Sequence, residues 1–108
     1  MLKNNNPTKK GRTFMDTLHT LEKTIAGRRE TPKPGSYTNY LFEKGIDKIL
    51  KKVGEEAAEV IIASKNTNRE DFLGEAADLL YHLFVLLNEK GIAFDDVLAV
   101  LEDRREKE

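Results

Sequence analysis

At 108 residues the chain has the length of one domain, and a domain this small buries only a modest share of the surface its unfolded chain exposes, so a partner subunit would help it. A hydrophobic content of 39% excludes a wholly disordered chain, and a formal net charge of -1 excludes a global positive field for nucleic acid or an anionic membrane. The lack of cysteine excludes disulfides, thiolate zinc sites and cysteine nucleophiles. No apolar run approaches the roughly 18 residues of a membrane span, and the N-terminal MLKNNNPTKKGRTF has no apolar signal-peptide core, so a cytoplasmic location is expected.

Residues 1–12 have almost nothing to bury and read as a loose tail, leaving 13–108 as a single helical domain. From Thr13, a candidate N-cap with Asp16 three residues on, Phe14, Leu18, Leu21 and Ile25 recur at helical spacing as far as Arg28. Pro32, Pro34 and Gly35 then break regular structure, and Ser36 can cap a short helix from Tyr37 to Lys44 that stops at Gly45. Ile46, Ile49, Leu50, Val53, Ala57, Val60 and Ile61 mark one face of a third helix, Ile46 to Lys65, with Gly54 tolerated inside it. Asn68 is the natural N-cap of a fourth helix, Arg69 to about Lys90, ended by Gly91. That helix is apolar over more than half its girth. Leu79, Leu80, Leu83, Phe84, Val85, Leu86 and Leu87 predict a covering layer of helices from another subunit. Asp95 is the expected cap of a last amphipathic helix carrying Val97, Leu98, Val100 and Leu101. The fold class is all-α, about five helices, completed by dimerisation.

The chemically informative residues are acids. At about 100° of rotation per residue, Glu56 and Glu59 share one flank of the third helix's apolar stripe, and Glu55 points nearly opposite that stripe. Glu75 and Asp78 share a flank of the fourth helix, with His82 one turn on. Antiparallel packing of the two helices would bring four carboxylates together beside a hydrophobic seam. Such crowding raises carboxylate pKa values and calls for a cation; hard oxygen ligands favour magnesium, with manganese as a substitute, and zinc is disfavoured. The plain alternative is a solvated face paired with Lys48, Lys51 and Lys52.

The runs KVGEEAAEVIIA at Lys52 to Ala63 and EAADLLYHLFVLL at Glu75 to Leu87 resemble phosphoribosyl-ATP pyrophosphohydrolase, within the MazG-like all-α nucleotide pyrophosphatase superfamily. LEKTIAGRR at Leu21 to Arg29, GSYTNYLFEKG at Gly35 to Gly45 and GIAFDDVLAVLEDR at Gly91 to Arg104 look like the same family in the same order. An E-E-x-x-E followed by E-x-x-D is the moderately specific superfamily signature, whereas KVGEE, SYT and DLLYH together point to the histidine-pathway enzyme. The resemblance implies magnesium on Glu56, Glu59, Glu75 and Asp78 with Glu55 near them. It further implies hydrolysis of phosphoribosyl-ATP to phosphoribosyl-AMP and pyrophosphate, the second step of histidine biosynthesis. Some members are fused to phosphoribosyl-AMP cyclohydrolase, whose zinc site uses cysteines; a chain with none is expected to hand its product to a separate cyclohydrolase.

In such a reaction a carboxylate of the cluster orients or deprotonates the attacking water, and the general base stays open. Glu55 is a candidate for holding a metal-bound water or for facing another subunit's site. Lys52, on the Glu56 flank, is the first candidate for a phosphate contact and Lys48 the next, with pairing to a neighbouring Glu the competing role for each. Ser36, Tyr37 and Thr38 are candidate donors to ribose or phosphate, although Ser36 also serves as a cap. His82 is either a satisfied structural group or a direct participant. A house-cleaning pyrophosphatase of non-standard nucleoside triphosphates is the alternative enzyme, and a non-enzymatic helical interaction module is the third reading.

Overall fold

The computed structural model describes residues 14–108, all but the first few with their side chains. Five helices follow in order: α1 Phe14–Glu30, α2 Tyr37–Lys44, α3 Ile46–Ala63, α4 Arg69–Glu89 and α5 Phe94–Glu106. The expected Thr13 cap and the 1–12 tail lie outside the described residues. Among the described residues there is no strand, and no helix is long and apolar enough to cross a membrane.

The local start and stop signals act as their chemistry requires. Ser36 Oγ accepts from the Asn39 N–H, and Asn68 Oδ1 accepts from the Asp71 N–H, each satisfying an orphan donor in the first turn of α2 and α4. Gly45, at φ +92°, ends α2 and begins α3 without an intervening loop, a junction that an L side chain would strain. The third helix stops at Ala63, two residues short of its expected end, where Ser64 Oγ donates back to the Ile61 carbonyl.

The start of α5 departs from expectation. Asp95 does not cap it; Ala93 holds the N-cap position with no side-chain bond, and Asp95 lies inside the first turn, where its carboxylate meets His19 Nε2 at 2.9 Å. The capping group comes from elsewhere in the chain. Glu22 of α1 accepts from the Phe94 N–H at 2.8 Å, so a carboxylate distant in sequence does the work assigned to a local one. Burial of Phe94 against Phe84, with ring centroids 4.6 Å apart, fixes that register.

Each helix gives at least one residue to the core: Ile25, Leu41, Ile49, Phe84 with Val85, and Phe94 in chain order. The broadest helix-to-helix contact is between α3 and α4, which form an antiparallel hairpin through the turn at 64–68; α1 and α2 lie against it. Arg29 pins α1 to the end of α4, donating to Asn88 Oδ1 and Glu89 while its guanidinium rests 3.9 Å from the Phe42 ring. Leu41 is fully buried, so Leu41→Ala is expected to cost about 2–5 kcal/mol in urea unfolding, against less than about 0.5 kcal/mol for Leu101→Ala on the exposed side of α5. Equal effects would contradict this placing of the core.

The apolar girth of α4 is only half covered. Phe84 and Val85 are buried, whereas Phe72, Leu73, Leu80 and Leu83 are exposed. On α3, Ile46, Leu50 and Ile61 are exposed as well, Ile61 at 66%. Both helices of the hairpin thus carry large apolar residues left exposed.

Candidate metal centre

The α3–α4 hairpin positions the acids by helical rotation. Glu56 sits one turn beyond Lys52 on α3, and Glu75 and Asp78 are three apart on α4, so each pair lies on the flank facing the other helix. Glu56, Glu75 and Asp78 each offer a carboxylate oxygen, and the three atoms lie within 4.8 Å of one another. Two oxygens on one octahedral magnesium stand about 3–4 Å apart, given metal–oxygen bonds near 2.1 Å, so small side-chain rotations would close this trio on an ion. The donors are all hard oxygens, which suits magnesium or manganese.

Glu59, the fourth acid of the expected set, lies outside this trio but close enough to act on it. Burial raises the Glu75 carboxyl above the ordinary glutamate range, and the charges of Glu59, then Glu56 and Asp78, push it further, with a hydrogen bond to Glu56 in the same direction. Four like charges in mutual reach form a site whose electrostatics a divalent cation would relieve.

Lys52 is the cation beside the cluster. Its Nζ stands 3.3 Å from Glu55 and 3.6 Å from Glu56, so it bridges the exposed and the inward-facing acid. Partial burial works against the ammonium charge, but the bond to Glu55 and the fields around it raise the Lys52 pKa overall. Glu55 itself is half exposed and outside the trio, as its rotation implies. Lys48 is directed elsewhere: its ammonium lies over the Tyr40 ring, 5.9 Å from the centroid, with Lys44 in a similar place.

The SYT segment at the start of α2 faces α4. The Tyr37 hydroxyl is 2.9 Å from His82 Nε2, and the Thr38 and Tyr81 hydroxyls are hydrogen-bonded to each other. Burial raises the Tyr37 phenol, against which Lys52 pulls down while Tyr81, Glu56 and Tyr40 add to the rise. Burial likewise raises Tyr81. His82 is buried, with Nδ1 2.7 Å from the Asp78 carbonyl oxygen. It meets no open surface here, and both of its ring nitrogens have partners within the chain. Two residues beyond the sequence expectations also shape the site. Tyr81 forms part of a stack with Tyr37 and Tyr40, and buried Asn39 ties the preceding loop by accepting from the Lys33 N–H and donating to the Arg28 carbonyl. Nothing in the local pattern marks Asn39, because both partners depend on how the loop folds back.

A family model described as phosphoribosyl-ATP pyrophosphohydrolase matches residues 18–105. The chain belongs to this family. Among its relatives, a phosphoribosyl-ATP pyrophosphatase of Listeria welshimeri is 62% identical over 90 residues, 83% of this chain and 86% of the relative. One of the same name from Clostridium novyi is 53% identical over 93 residues, 86% of this chain and 84% of the relative. A histidine biosynthesis bifunctional protein of Caldanaerobacter subterraneus is 57% identical over 93 residues, and here the chain spans only 45% of the relative's length. Family members thus occur both at about this length and within a longer, bifunctional chain. The matched region holds the acidic trio, Lys52 and the SYT segment.

Proposed function

We propose that this chain hydrolyses phosphoribosyl-ATP to phosphoribosyl-AMP and pyrophosphate, with magnesium, or manganese in its place, on Glu56, Glu59, Glu75 and Asp78. The observation that carries the reading is the trio of carboxylate oxygens within 4.8 Å in a chain of this family. When bound, the ion supplies charge neutralisation on the phosphates and a water of lowered pKa. The residues do the rest. Lys52, poised beside Glu56, offers its ammonium to a phosphate oxygen, and Glu55 at its other side orients the attacking water. Ser36 keeps its hydroxyl proton free while its oxygen caps α2, so it is a donor for ribose or phosphate. Two copies join through the exposed apolar residues of α3 and α4, and the product passes in the cytoplasm to a separate phosphoribosyl-AMP cyclohydrolase.

The test is turnover of phosphoribosyl-ATP beside ATP and a set of ordinary and non-standard nucleoside triphosphates, with magnesium, with manganese and with a chelator. Cleavage of phosphoribosyl-ATP in strong preference to the others, lost on chelation and regained with either metal, is the expected result. Preference for a non-standard triphosphate would move the chain to nucleotide house-cleaning, and absence of pyrophosphate release would leave an interaction module.

A further inference from the structure

Among the described residues, the His82 imidazole is one of two buried polar side chains, only 4% exposed, and both of its ring nitrogens are engaged. The Asp78 carbonyl facing Nδ1 can only accept, so in the neutral ring Nδ1 carries the proton. Nε2 is then a bare acceptor, and the Tyr37 hydroxyl donates into it. A phenol has one proton. With that proton committed, the Tyr37 oxygen can receive a hydrogen bond from a ligand but cannot give one, which removes it from the donors to phosphate.

The phenol is held on every side. Its ring stacks between Tyr40 and Tyr81, at 6.0 and 6.1 Å between centroids, and meets the His82 ring edge-on. Next to it, Thr38 is bonded to Tyr81, so two consecutive residues of α2 grip two consecutive residues of α4, one helical turn beyond Asp78. His82 links the Tyr37 hydroxyl, at 2.9 Å, to the backbone of Asp78, at 2.7 Å, so that oxygen stands one residue away from an acid of the cluster.

We propose that His82 is a positioning residue: through Nε2 it fixes the Tyr37 hydroxyl as an acceptor for an O–H group of the bound nucleotide complex, and the Asp78 carbonyl fixes the tautomer that makes this possible. The donor is either a ribose hydroxyl or a water in the metal's shell, which share this chemistry. The inference rests on the pyrophosphohydrolase reading for its ligand and on geometry alone for the Tyr37–His82 bond.

Its test has two arms. In the first, kcat/KM for phosphoribosyl-ATP is measured for Tyr37→Phe, His82→Leu and the double variant. Loss of one positioned hydrogen bond predicts a fall of about tenfold for each single change. The double variant should be no worse than the more impaired single, and His82→Gln, whose amide oxygen can accept in place of Nε2, should recover part of the loss. A ribose-deoxygenated substrate on which Tyr37→Phe has no further effect identifies the ribose hydroxyl; an unchanged effect identifies water. Independent losses multiplying to about a hundredfold would overturn the proposal. In the second arm, 15N NMR of the metal-free full chain, which has only two histidines, should show His82 protonated at Nδ1, with an Nε2 resonance that moves in Tyr37→Phe. An Nε2–H tautomer, or an Nε2 indifferent to Tyr37→Phe, would sink the proposal. Should the chain leave phosphoribosyl-ATP untouched, the enzymatic reading fails on its own, and the NMR arm still decides whether His82 holds Tyr37.

Discussion

Glu56→Gln is expected to lower metal-dependent turnover of phosphoribosyl-ATP by about a thousandfold or more, because it removes a carboxylate proposed to hold an ion that would stabilise several kcal/mol of transition-state charge. The same substitution relieves repulsion in the empty cluster, so the metal-free variant keeps its fold and its melting temperature does not fall. Glu75→Gln separates these effects more sharply. The Glu75 carboxyl is raised in the folded chain by burial and then by Glu59, Glu56 and Asp78. A carboxyl whose folded pKa exceeds its unfolded one favours the fold fully below the unfolded value, and that contribution is lost as pH rises through the folded value. Without metal, Glu75→Gln should therefore melt higher than the native chain at neutral pH, with the gap closing on acidification into the ordinary glutamate range. With magnesium at a hundredfold excess over its Kd, the native chain should gain about 2.7 kcal/mol, or on the order of 10 °C, and the variant much less. Calorimetry across pH, with and without magnesium, reads all of this. A native melting temperature indifferent to magnesium would remove the metal site.

The second large effect is on assembly. Leu80 is 48% exposed on α4, two helical turns from exposed Leu73, and we propose that with the exposed Leu50 and Ile61 of α3 it forms the contact between two copies. Burying a leucine contributes about 1.5–3 kcal/mol, and in a two-fold interface every residue counts twice. Leu80→Arg should accordingly raise the dimer dissociation constant by a hundredfold or more. Sedimentation equilibrium of native and variant chains measures it. A native chain that sediments as a stable monomer with full activity defeats the dimer outright.

What could be read from the sequence was whatever depends on neighbours within about one helical turn. Ser36 and Asn68 cap because their partners, Asn39 and Asp71, are three residues away. The acidic trio was legible for a related reason: rotation along each helix puts Glu56, Glu75 and Asp78 on facing flanks, and the short turn at 64–68 leaves the two helices no other pairing. Glu59 shares that flank and acts on Glu75, although its oxygens are outside the tight group.

Less was legible where the deciding partner is far along the chain, and there the Asp95 cap failed. Asp95 has the composition of a cap, yet Glu22 reaches the Phe94 N–H first and leaves Asp95 to His19. Lys48 and Lys52 are one turn apart and alike on paper; the Tyr40 ring of α2 draws one and the Glu55 and Glu56 carboxylates the other. The role of His82 was undecidable without Tyr37, whose hydroxyl only tertiary packing brings to it.

All three acids of the tight cluster stand on one hairpin, α3 and α4, so the contacts that assemble it are local in sequence. Contacts of short sequence separation are favoured early in folding, whereas the core is closed only when α1 docks on α5, where Glu22 takes the Phe94 N–H across 72 positions of sequence. The repulsion among the acids is thus felt by a half-folded hairpin with little hydrophobic burial to oppose it. If the proposed cation binds there, refolding should be faster with magnesium than with a chelator, before there is any substrate to cleave; equal rates would separate the site from folding.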